Sequence, residues 1–471
     1  MQNIVEIQTR FRNRKMIFGK IKELFFVGIG GAGMSGIAEI LFNLGFKISG
    51  SDLYVTDVTR RLESIGIPVF NKHTPGNIGT ANAVVISSAV GEDNPEVIEA
   101  KRRGVAVIKR AEMLGELMRL KYSIGIAGTH GKTTVTSMIG KIMADAGLDP
   151  TVIVGGIVSG KGSGAALGNG EYLVAEADEY DRSFLAMYPS MAVITNIEPE
   201  HLDCYDGQED LENSFVTYMN RVPFYGLVIY PADDPIMARL YPRLTRASVS
   251  FGFGPGADYQ ASGVKLKEGG SQFTVFQKND LLGDVYLNVP GRHNVSNALA
   301  AIASTMELEV PFEKAAAALG KFGGVQRRFD IKGTVNDIMV VDDYAHHPTE
   351  IKATLETARS FNRRVIVIYQ PHLFTRTGQF YKEFAEALRL ADIALLVDIY
   401  PAREEPIAGV TSEIIEENAH EKGYDNIKYI GAEKNCLEEI EKISRAGDMI
   451  ITMGAGTITR MAPALLERLS K

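Results

Sequence analysis

The chain of 471 residues has only two cysteines, Cys204 and Cys436, and they stand far apart in the sequence. No C-x-x-C or other metal-ligand spacing accompanies them, so a reducing compartment is the simple inference. The sequence also lacks any apolar run of 18 residues, which argues against a membrane-spanning helix. Basic residues are not in excess either: 50 lysines and arginines stand against 58 acidic residues, for a net charge of −8. This balance argues against a nucleic-acid-binding surface.

The first 22 residues are basic, with arginine or lysine at six positions, but they contain no apolar block long enough for a signal peptide. They are typical of a solvated extension or a short helix. Hydrophobic residues make up 45% and charged residues 23% of the chain, as in an ordinary globular protein. The length favours two to four domains, and we expect a cytoplasmic protein without a membrane partner.

Residues 122–140 have the sequence Y-S-I-G-I-A-G-T-H-G-K-T-T-V-T-S-M-I-G, which predicts a strand, a tight loop and a helix in succession. The backbone N–H groups of such a loop, together with the helix N-terminus, favour an anion. Lys132 adds a positive charge for the β- and γ-phosphates, and the Thr133 hydroxyl is placed to bind Mg²⁺. This segment therefore predicts a site for a nucleoside triphosphate.

The loop departs from the pattern G-x-x-x-x-G-K-[ST], because Ile126 stands where the first glycine belongs. Gly125 and Gly128 lie on either side of that position instead. A glycine-rich turn followed by a chance Lys-Thr pair is the structural alternative. The strand and helix around the loop favour the phosphate site, although the pattern does not name a reaction.

A second glycine-rich turn, G-I-G-G-A-G at 28–33, follows an apolar run near the start of the chain and precedes an apolar pattern at helical spacing. Asp52 comes 19 positions after Gly33, at the end of the next predicted strand. This spacing is the dinucleotide-binding fingerprint. Any nucleotide diphosphate can use the same helix end, so the fingerprint does not specify NAD, and a purely structural turn stays open. Ser87 and Ser88 follow a further strand and are either ligand contacts or a plain loop start.

Carboxylates and a histidine follow two strands predicted for the middle of the chain. Glu176 ends the first of these strands, and His201 follows the second within N-I-E-P-E-H-L-D. Because Mg²⁺ is usually held by one or two carboxylates together with substrate phosphates, Glu176 is a candidate ligand. A single His201 is by itself more typical of a polar loop. The neighbouring acidic residues are as readily a solvated helix cap: Asp178, Glu179 and Asp181.

The last third of the chain has five predicted strands separated by helical patterns, which indicates another mostly parallel sheet. Polar groups end three of these strands, at 342–350, 370–377 and 453–457. The pair Arg327 and Arg328 after a linker is either solvated or functional. The sequence therefore predicts an α/β protein with three domains. These are a Rossmann-like domain at 1–121, a central P-loop ATPase-like domain at 122–324 and a C-terminal Rossmann-like domain at 325–471.

In this order, the motifs resemble those of the Mur ligases of peptidoglycan precursor synthesis. Within that family the chain is similar to the branch that adds L-alanine to UDP-N-acetylmuramate. The resemblance extends from about residue 24 to the C-terminus, and the ordered set of motifs is far more specific than any one of them. The motifs are G-I-G-G-A-G-M-S-G-I-A-E (28–39), G-T-H-G-K-T-T (128–134), A-E-A-D-E-Y-D (175–181), N-I-E-P-E-H-L-D (196–203), G-R-H-N (291–294), R-R-F-D (327–330), D-D-Y-A-H-H-P-T-E (342–350) and Q-P-H-L-F-T-R-T (370–377).

The resemblance implies an ATP- and Mg²⁺-dependent ligase that activates the carboxylate of UDP-N-acetylmuramate as an acyl phosphate, which L-alanine then attacks. It implies that Thr133 and Glu176 bind one Mg²⁺ and that His201 binds a second. Arg328 and Asp343 would complete the ATP site after domain closure. The other residues implied to bind ATP are Gly128, Thr129, His130, Gly131, Lys132, Thr134, His293, Asn294 and Asn297.

The resemblance also implies the residues that contact the other two substrates. Tyr344, His346 and Arg376 would face the incoming L-alanine. His346 is a candidate general base, because an imidazole titrates at about pH 6.5, and a positioning role is equally compatible. We expect a monomer or a weak homodimer. The UDP-sugar would be held by Gly28, Gly30, Gly31, Ala32, Gly33, Asp52, Ser87 and Ser88.

Two departures from the family pattern affect these expectations. Leu373 stands where some relatives have an arginine, which leaves Arg376 as the clamp for the amino-acid carboxylate. Other Mur ligases use a carbamylated lysine for the second metal, but this chain has no lysine between Lys161 and Lys265. A second Mg²⁺ would therefore depend on His201.

The sequence leaves three other functions open. A related ligase that recycles a murein peptide would need a pocket that admits a peptide, and the sequence at 36–39 resembles the alanine-adding branch more closely. A nicotinamide-dependent dehydrogenase with an added ATPase or regulatory domain would account for the first glycine fingerprint. A non-catalytic nucleotide-binding module would leave Glu176, His201, Arg328 and Asp343 unexplained.

Overall fold

The computed structural model describes residues 18–87, 89–155, 165–200, 204–402 and 404–470. Its strands form three sheets of five, ten and six strands. The chain divides into two compact units. The first runs to Ser262 and includes Thr274–Val285 and Ser296–Phe322; the second comprises Gly263–Phe273, Tyr286–Val295 and the residues from Gly323 onward.

The first sheet has the order β3-β2-β1-β4-β5, with parallel neighbours throughout. This order matches five strands of the Rossmann order 3-2-1-4-5-6, in agreement with the predicted Rossmann-like domain. Strand β1 is almost wholly buried and apolar, because helices cover both faces of a parallel sheet. The elements are β1 (Glu23–Val27), α1 (Ala32–Asn43), β2 (Lys47–Ser51), α2 (Asp57–Ser64), β3 (Val69–Phe70), β4 (Ala83–Ile86), α3 (Pro95–Arg102), β5 (Ala106–Lys109) and α4 (Arg110–Met118).

The second sheet has β6 near its middle, in the order β15-β14-β13-β12-β11-β10-β6-β9-β7-β8. Strands β9 and β10 flank β6 in parallel, so their carboxyl ends meet at the edge where the phosphate loop begins. The elements are β6 (Tyr122–Ala127), α5 (Lys132–Asp145), β7 (Thr151–Ile153), β8 (Ala165–Ala166), β9 (Tyr172–Glu176), β10 (Met191–Ile194), α6 (Gln208–Asn220), β11 (Leu227–Pro231), α7 (Pro235–Leu240) and β12 (Ser248–Gly252).

Three strands that the sequence pattern did not predict follow: β13 (Tyr259–Lys267), β14 (Gly270–Gln277) and β15 (Asp280–Leu287). Two residues connect each successive pair. Lys278 and Asn279 both have positive φ, at 49° and 76°, which suits a two-residue hairpin turn whose twist matches the strands. The chain then forms α8 (Arg292–Met306) and α9 (Phe312–Leu319).

The third sheet, in the second unit, has the order β16-β17-β21-β18-β19-β20. Its pairs are parallel except that between β16 and β17. Apolar clusters cover both faces. The elements are β16 (Asp330–Val335), β17 (Ile338–Asp343), α10 (Pro348–Arg359), β18 (Arg364–Tyr369), α11 (Phe374–Leu388), β19 (Ile393–Val397), α12 (Glu413–Glu421), β20 (Ile427–Gly431), α13 (Cys436–Ile443), β21 (Asp448–Met453) and α14 (Met461–Leu469).

The first sheet and strands β6–β12 of the second sheet lie in one unit, and one apolar core joins them. Leu114 and Met118 of α4 belong to the same buried cluster as Phe184 and Phe215 of the central segment. The rings of Phe184 and Phe215 lie edge to face, with centroids 5.1 Å apart. The predicted α/β class is confirmed, while the predicted domain limits stay predictions. In the described part of the chain, no helix is both long enough and apolar enough to span a bilayer.

Gly115 of α4 marks the closest approach within this shared core. A Cβ at this position would overlap the carbonyl oxygen of Ala186, a backbone atom that cannot rotate away. We expect Gly115→Ala to lower the free energy of unfolding by about 1–3 kcal/mol, as for overpacked cores. Gly76→Ala is the matched control, because a Cβ there meets nothing within 4 Å. Denaturant unfolding of both variants checks this, and equal midpoints would contradict a tight contact at Gly115.

Candidate active site

The phosphate loop spans residues 128–131, between β6 and α5. Gly128 and Gly131 have φ of 131° and 83°, in the region that favours glycine. A Cβ on Gly128 would overlap the Thr195 hydroxyl, and one on Gly131 would lie 2.6 Å from Asn297 Oδ1. The glycines of the predicted motif are therefore required both by backbone conformation and by space.

The end of the neighbouring strand β10 holds this loop in shape. The His130 N–H donates to Asn196 Oδ1 at 3.0 Å, and the His130 carbonyl accepts from Thr195 Oγ1 at 2.6 Å and Asn196 Nδ2 at 2.9 Å. The Thr129 hydroxyl accepts from the Glu198 N–H at 2.9 Å. These hydrogen bonds hold the backbone of the loop in one conformation, as a preformed anion-binding site requires.

Lys132, the first residue of α5, has its ammonium group among loop oxygens and a carboxylate. Nζ donates to the Gly128 carbonyl at 2.7 Å, to the Thr129 carbonyl at 3.2 Å and to Glu179 Oε2 at 2.7 Å. Burial opposes the charge on Lys132, but the Glu179 and Asp178 carboxylates outweigh it and raise its pKa. Burial raises the pKa of Glu179 to about 7, against the charge of Lys132. The lysine is therefore charged and held in place.

Glu176 and Thr133 meet beside the loop, as predicted. The Thr133 hydroxyl and the Gly155 N–H both hydrogen bond to the Glu176 carboxylate, although burial has the larger effect and raises its pKa. Glu176 Oε1 is buried with no hydrogen-bond partner in the described part of the chain. A Cβ on Gly155 would lie 2.9 Å from Glu176 Oε2. A carboxylate with an unused oxygen beside a hydroxyl fits Mg²⁺, which takes hard oxygen ligands.

Helix α8 carries the three residues expected to contact the nucleotide. Of these, Asn297 lies beside Gly131 of the loop. The Asn294 side chain donates to the Pro290 carbonyl at 2.7 Å. His293 lies against Gly291, where a Cβ would come within 2.7 Å of the His293 ring. Contact with the phosphate loop is therefore established here for Asn297.

The glycine turn of the first sheet joins the strand ends expected to hold the UDP-sugar. Gly30 N–H donates to Asp52 Oδ2 at 2.8 Å. Gly28, with φ of 76°, lies beside Ser87, which follows β4. Gly31 is the N-cap of α1, whose first residues are Ala32 and Gly33. The structure therefore brings the turn, Asp52 and Ser87 together at one edge of the sheet.

Further polar residues lie at this edge, although the sequence pattern did not predict them to belong to the site. Arg110, directly after β5, lies against Gly33, where a Cβ would be 2.9 Å from Nη1. Ser51 at the end of β2 donates to Glu96 at 2.6 Å, and His73 Nδ1 lies 3.0 Å from the same carboxylate. Arg110 and Ser51 both follow the strand-end rule that identified Ser87, so that rule could have found them.

In the second unit, Asp343 joins two polar segments at the end of β17. Its carboxylate accepts from the Phe329 N–H and from the Ala345 N–H, each at 2.7 Å. Burial raises the pKa of Asp343 to about 6, although Arg328 opposes this. The positive φ of Arg327 and Phe329, 59° and 46°, shows the sharp turn that these bonds support.

Tyr344 and His346 lie in the same cluster as the two arginines. The Arg327 and Arg328 guanidinium groups lie 4.6 and 5.2 Å from the centroid of the Tyr344 ring. The Tyr344 and His346 rings are 5.2 Å apart, edge to face. Both arginines therefore pack against Tyr344, a residue of the predicted amino-acid site, and are not surrounded by solvent alone.

His372 and Arg376 extend this cluster from the end of β18. The His346 and His372 rings are 5.9 Å apart, and Arg376 Nη1 lies 3.3 Å from His372 Nδ1. Leu373 has φ of 70°, an uncommon backbone state for a leucine, and its N–H donates to the Tyr400 carbonyl at 3.0 Å. Such strain is often found at functional turns. The residues expected to face the amino acid thus lie in one place.

Some predicted positions are outside the described residues. These are Ser88 of the UDP-sugar site, His201 of the second metal site and residues 1–17 of the basic extension. Nothing in the structure tests them.

Comparison with known proteins finds relatives along nearly the whole chain. Three family models cover the chain: Mur ligase family, catalytic domain, at 23–122; Mur ligase middle domain at 126–305; and Mur ligase, glutamate ligase domain, at 327–456. A relative from Geobacter sp. (strain M21), a UDP-N-acetylmuramate–L-alanine ligase, is 48% identical over 96% of this chain and 99% of its own length.

Solved structures give the same result. The UDP-N-acetylmuramate-alanine ligase MurC of Thermotoga maritima has a TM-score of 0.80 and 30% identity, over 95% of this chain and 98% of its own. A murein peptide ligase of Psychrobacter arcticus has a TM-score of 0.70 and 27% identity, over 96% and 99%. The ordered motifs, the three sheets and the phosphate loop have one explanation: this chain is a ligase and belongs to the Mur ligase family.

Proposed function

We propose that this enzyme joins L-alanine to the carboxylate of UDP-N-acetylmuramate and converts ATP to ADP and phosphate as it does so. The observation that carries the proposal is the 48% identity to an L-alanine ligase across nearly the whole of both chains. The murein peptide ligase is less similar, at 27% identity. Membership of the Mur ligase family removes the support for a dehydrogenase, because the first glycine turn then serves a UDP-sugar.

The first step activates a poor electrophile. A carboxylate oxygen of the sugar attacks the γ-phosphorus of ATP, and ADP leaves, so that an acyl phosphate forms. The N–H groups at the N-terminus of α5 and the Lys132 ammonium group would stabilise the negative charge of the transferred group. The fixed loop supports this role for the N–H groups, because donors that are already oriented need no rearrangement, whereas Lys132 would exchange its hydrogen bonds to the loop and Glu179 for bonds to the phosphate.

Mg²⁺ would supply further charge neutralisation on the phosphates. Glu176 and the Thr133 hydroxyl are the proposed ligands, supported by the unpartnered buried oxygen of Glu176. A second Mg²⁺ on His201 stays a prediction. The proposed contributions of His293, Asn294, Arg328 and Asp343 to ATP binding also stay predictions.

The two remaining substrates would bind at the other strand-end clusters. The glycine turn at 28–33, with Asp52 and Ser87, would hold the UDP group, and Arg110 adds a positive charge for its diphosphate. Arg376 would bind the carboxylate of L-alanine. The neutral amine then attacks the acyl phosphate, and the tetrahedral intermediate expels phosphate. The predicted cytoplasmic location and monomeric or weakly dimeric state stay predictions.

The direct test measures phosphate release from ATP with UDP-N-acetylmuramate, with and without L-alanine. We expect sustained release only when L-alanine is present, because the acyl phosphate needs an amine to complete the cycle. A murein tripeptide in place of L-alanine is the comparison. Faster turnover with the tripeptide, or binding of NAD(H) in preference to UDP-N-acetylmuramate, would overturn the proposal.

Lys132→Ala should reduce ATP-dependent phosphate release by about 100-fold or more, as for loss of a preorganised donor to a transition-state charge. Binding of UDP-N-acetylmuramate, measured by calorimetry, should stay within about twofold, because that ligand is assigned to the first sheet. Lys141→Ala is the matched control: Lys141 lies on the same helix and pairs with Asp145 at 2.6 Å. If Lys132→Ala lost UDP-N-acetylmuramate binding together with phosphate release, the result would contradict two separate sites.

Glu176→Gln should raise the Mg²⁺ concentration that gives half-maximal activity by roughly tenfold or more, because a charged ligand is lost. Glu171→Gln is the control, since Glu171 is exposed and lies just before the same strand. Mg²⁺ titrations at saturating ATP compare the two variants. An unchanged Mg²⁺ requirement would remove Glu176 from the metal site.

A further inference from the structure

Glu350, in the first turn of α10, contacts two residues that the proposed function uses. Its Oε1 accepts from Arg328 Nη1 at 3.1 Å. Its Oε2 accepts from the His346 N–H at 3.1 Å and lies 3.3 Å from His346 Nδ1. The Glu350 side chain is only 10% exposed, so water competes weakly for these bonds. One carboxylate therefore joins the two residues, with one oxygen for each.

The surroundings of His346 fix which ring nitrogen carries the proton. Nδ1 lies 2.9 Å from the Tyr344 carbonyl oxygen and 3.3 Å from Glu350 Oε2. A carbonyl and a carboxylate can only accept, so Nδ1 must be the donor. In the neutral ring the lone pair then lies on Nε2. A carboxylate that orients a histidine in this way also stabilises the imidazolium that forms when Nε2 takes a proton.

We propose that Glu350 is a positioning residue of the ligase: it orients the Arg328 guanidinium group and holds His346 in the Nδ1–H form, with Nε2 as the basic atom. This rests on the proposed function, in which His346 meets L-alanine. The ammonium group of L-alanine transfers one proton to Nε2, which leaves a neutral amine and an imidazolium. The amine lone pair is then available to attack the acyl phosphate.

A carboxylate is the side chain that suits both contacts. Glutamine has the same length, but it has one acceptor and one amide donor. If its oxygen faces Arg328, its NH₂ group faces the N–H of His346, and the opposite orientation places it against the guanidinium. Glu350→Gln should therefore lose one of the two contacts whichever way the amide turns.

Steady-state kinetics of Glu350→Gln test the inference. We expect kcat/KM for L-alanine to fall about 10- to 100-fold, the usual effect of losing a hydrogen bond to a charged group. The Kd for UDP-N-acetylmuramate should change by less than about twofold, because that ligand is assigned to the first sheet, which lies in the other unit. Glu356→Gln, at an exposed position on the same helix, is the matched control. Equal kcat/KM in the two variants would overturn the proposal.

A double-mutant cycle separates positioning from simple helix stabilisation. On a His346→Ala background, Glu350→Gln should lower kcat/KM for L-alanine by clearly less than in the wild type, because only its contact with Arg328 is left to lose. If Glu350 only stabilises α10 as an acidic first-turn residue, the change in kcat/KM would be the same on both backgrounds. That result would overturn the proposal.

Nitrogen-15 NMR of histidine-labelled wild-type protein gives a readout that does not depend on a folded variant at position 350. Two-bond correlations should assign the neutral His346 ring to the Nδ1–H form, with its signals identified by their loss in His346→Gln. A neutral ring that carries its proton on Nε2 instead of Nδ1 would overturn the inference. Absence of ligase turnover in the wild type would instead refute the proposed function, so the two failures are distinguishable.

Discussion

The conformation of the phosphate loop depends on a buried ammonium group, that of Lys132 at the start of α5. The Lys132 side chain is 14% exposed and the Glu179 side chain 2% exposed. Removing one partner of such a pair leaves an uncompensated charge and costs about 3–5 kcal/mol. The loop carbonyls of Gly128 and Thr129 complete the ammonium group's hydrogen bonds, so the loop conformation and the lysine position depend on each other. A phosphate that approaches Lys132 thus meets an ammonium group whose hydrogen bonds to the protein must be exchanged for bonds to the ligand.

The three sheets share one arrangement of polar groups at their strand ends. In a parallel sheet the carboxyl ends of neighbouring strands meet at one edge, and the helix that follows each strand directs its N-terminus there. In the first sheet this edge holds Gly30 and Asp52; in the second it holds the phosphate loop, Thr195 and Glu176. In the third it holds Asp343 and His372. Each cluster combines residues that are distant in sequence.

Carboxylates in the second unit act mainly as acceptors that define backbone and side-chain positions. Asp343 binds two backbone N–H groups with its two oxygens. Glu350 binds one guanidinium group and one backbone N–H. Buried acceptors of this kind specify geometry strongly, because each displaced partner would leave a polar group without a hydrogen bond. This is why residues outside the predicted contact set can still determine how the predicted ones are oriented.

The sequence by itself determined the α/β class, most strands of the first and third sheets and the identity of the phosphate loop, because apolar periodicity and glycine spacing are local properties of the chain. Strand β9 ends at Glu176, as predicted. In the second sheet it missed β7, β8 and β11–β15, and the alternating exposure of β13–β15 gives a weaker apolar signal. It interpreted Glu179 as part of a solvated cap, which the burial of that residue contradicts, and it left Arg110 and Glu350 without a role. Only the tertiary structure decided those roles, since a carboxylate or guanidinium acquires a partner only when folding brings a distant strand end within hydrogen-bond distance and removes water from between them.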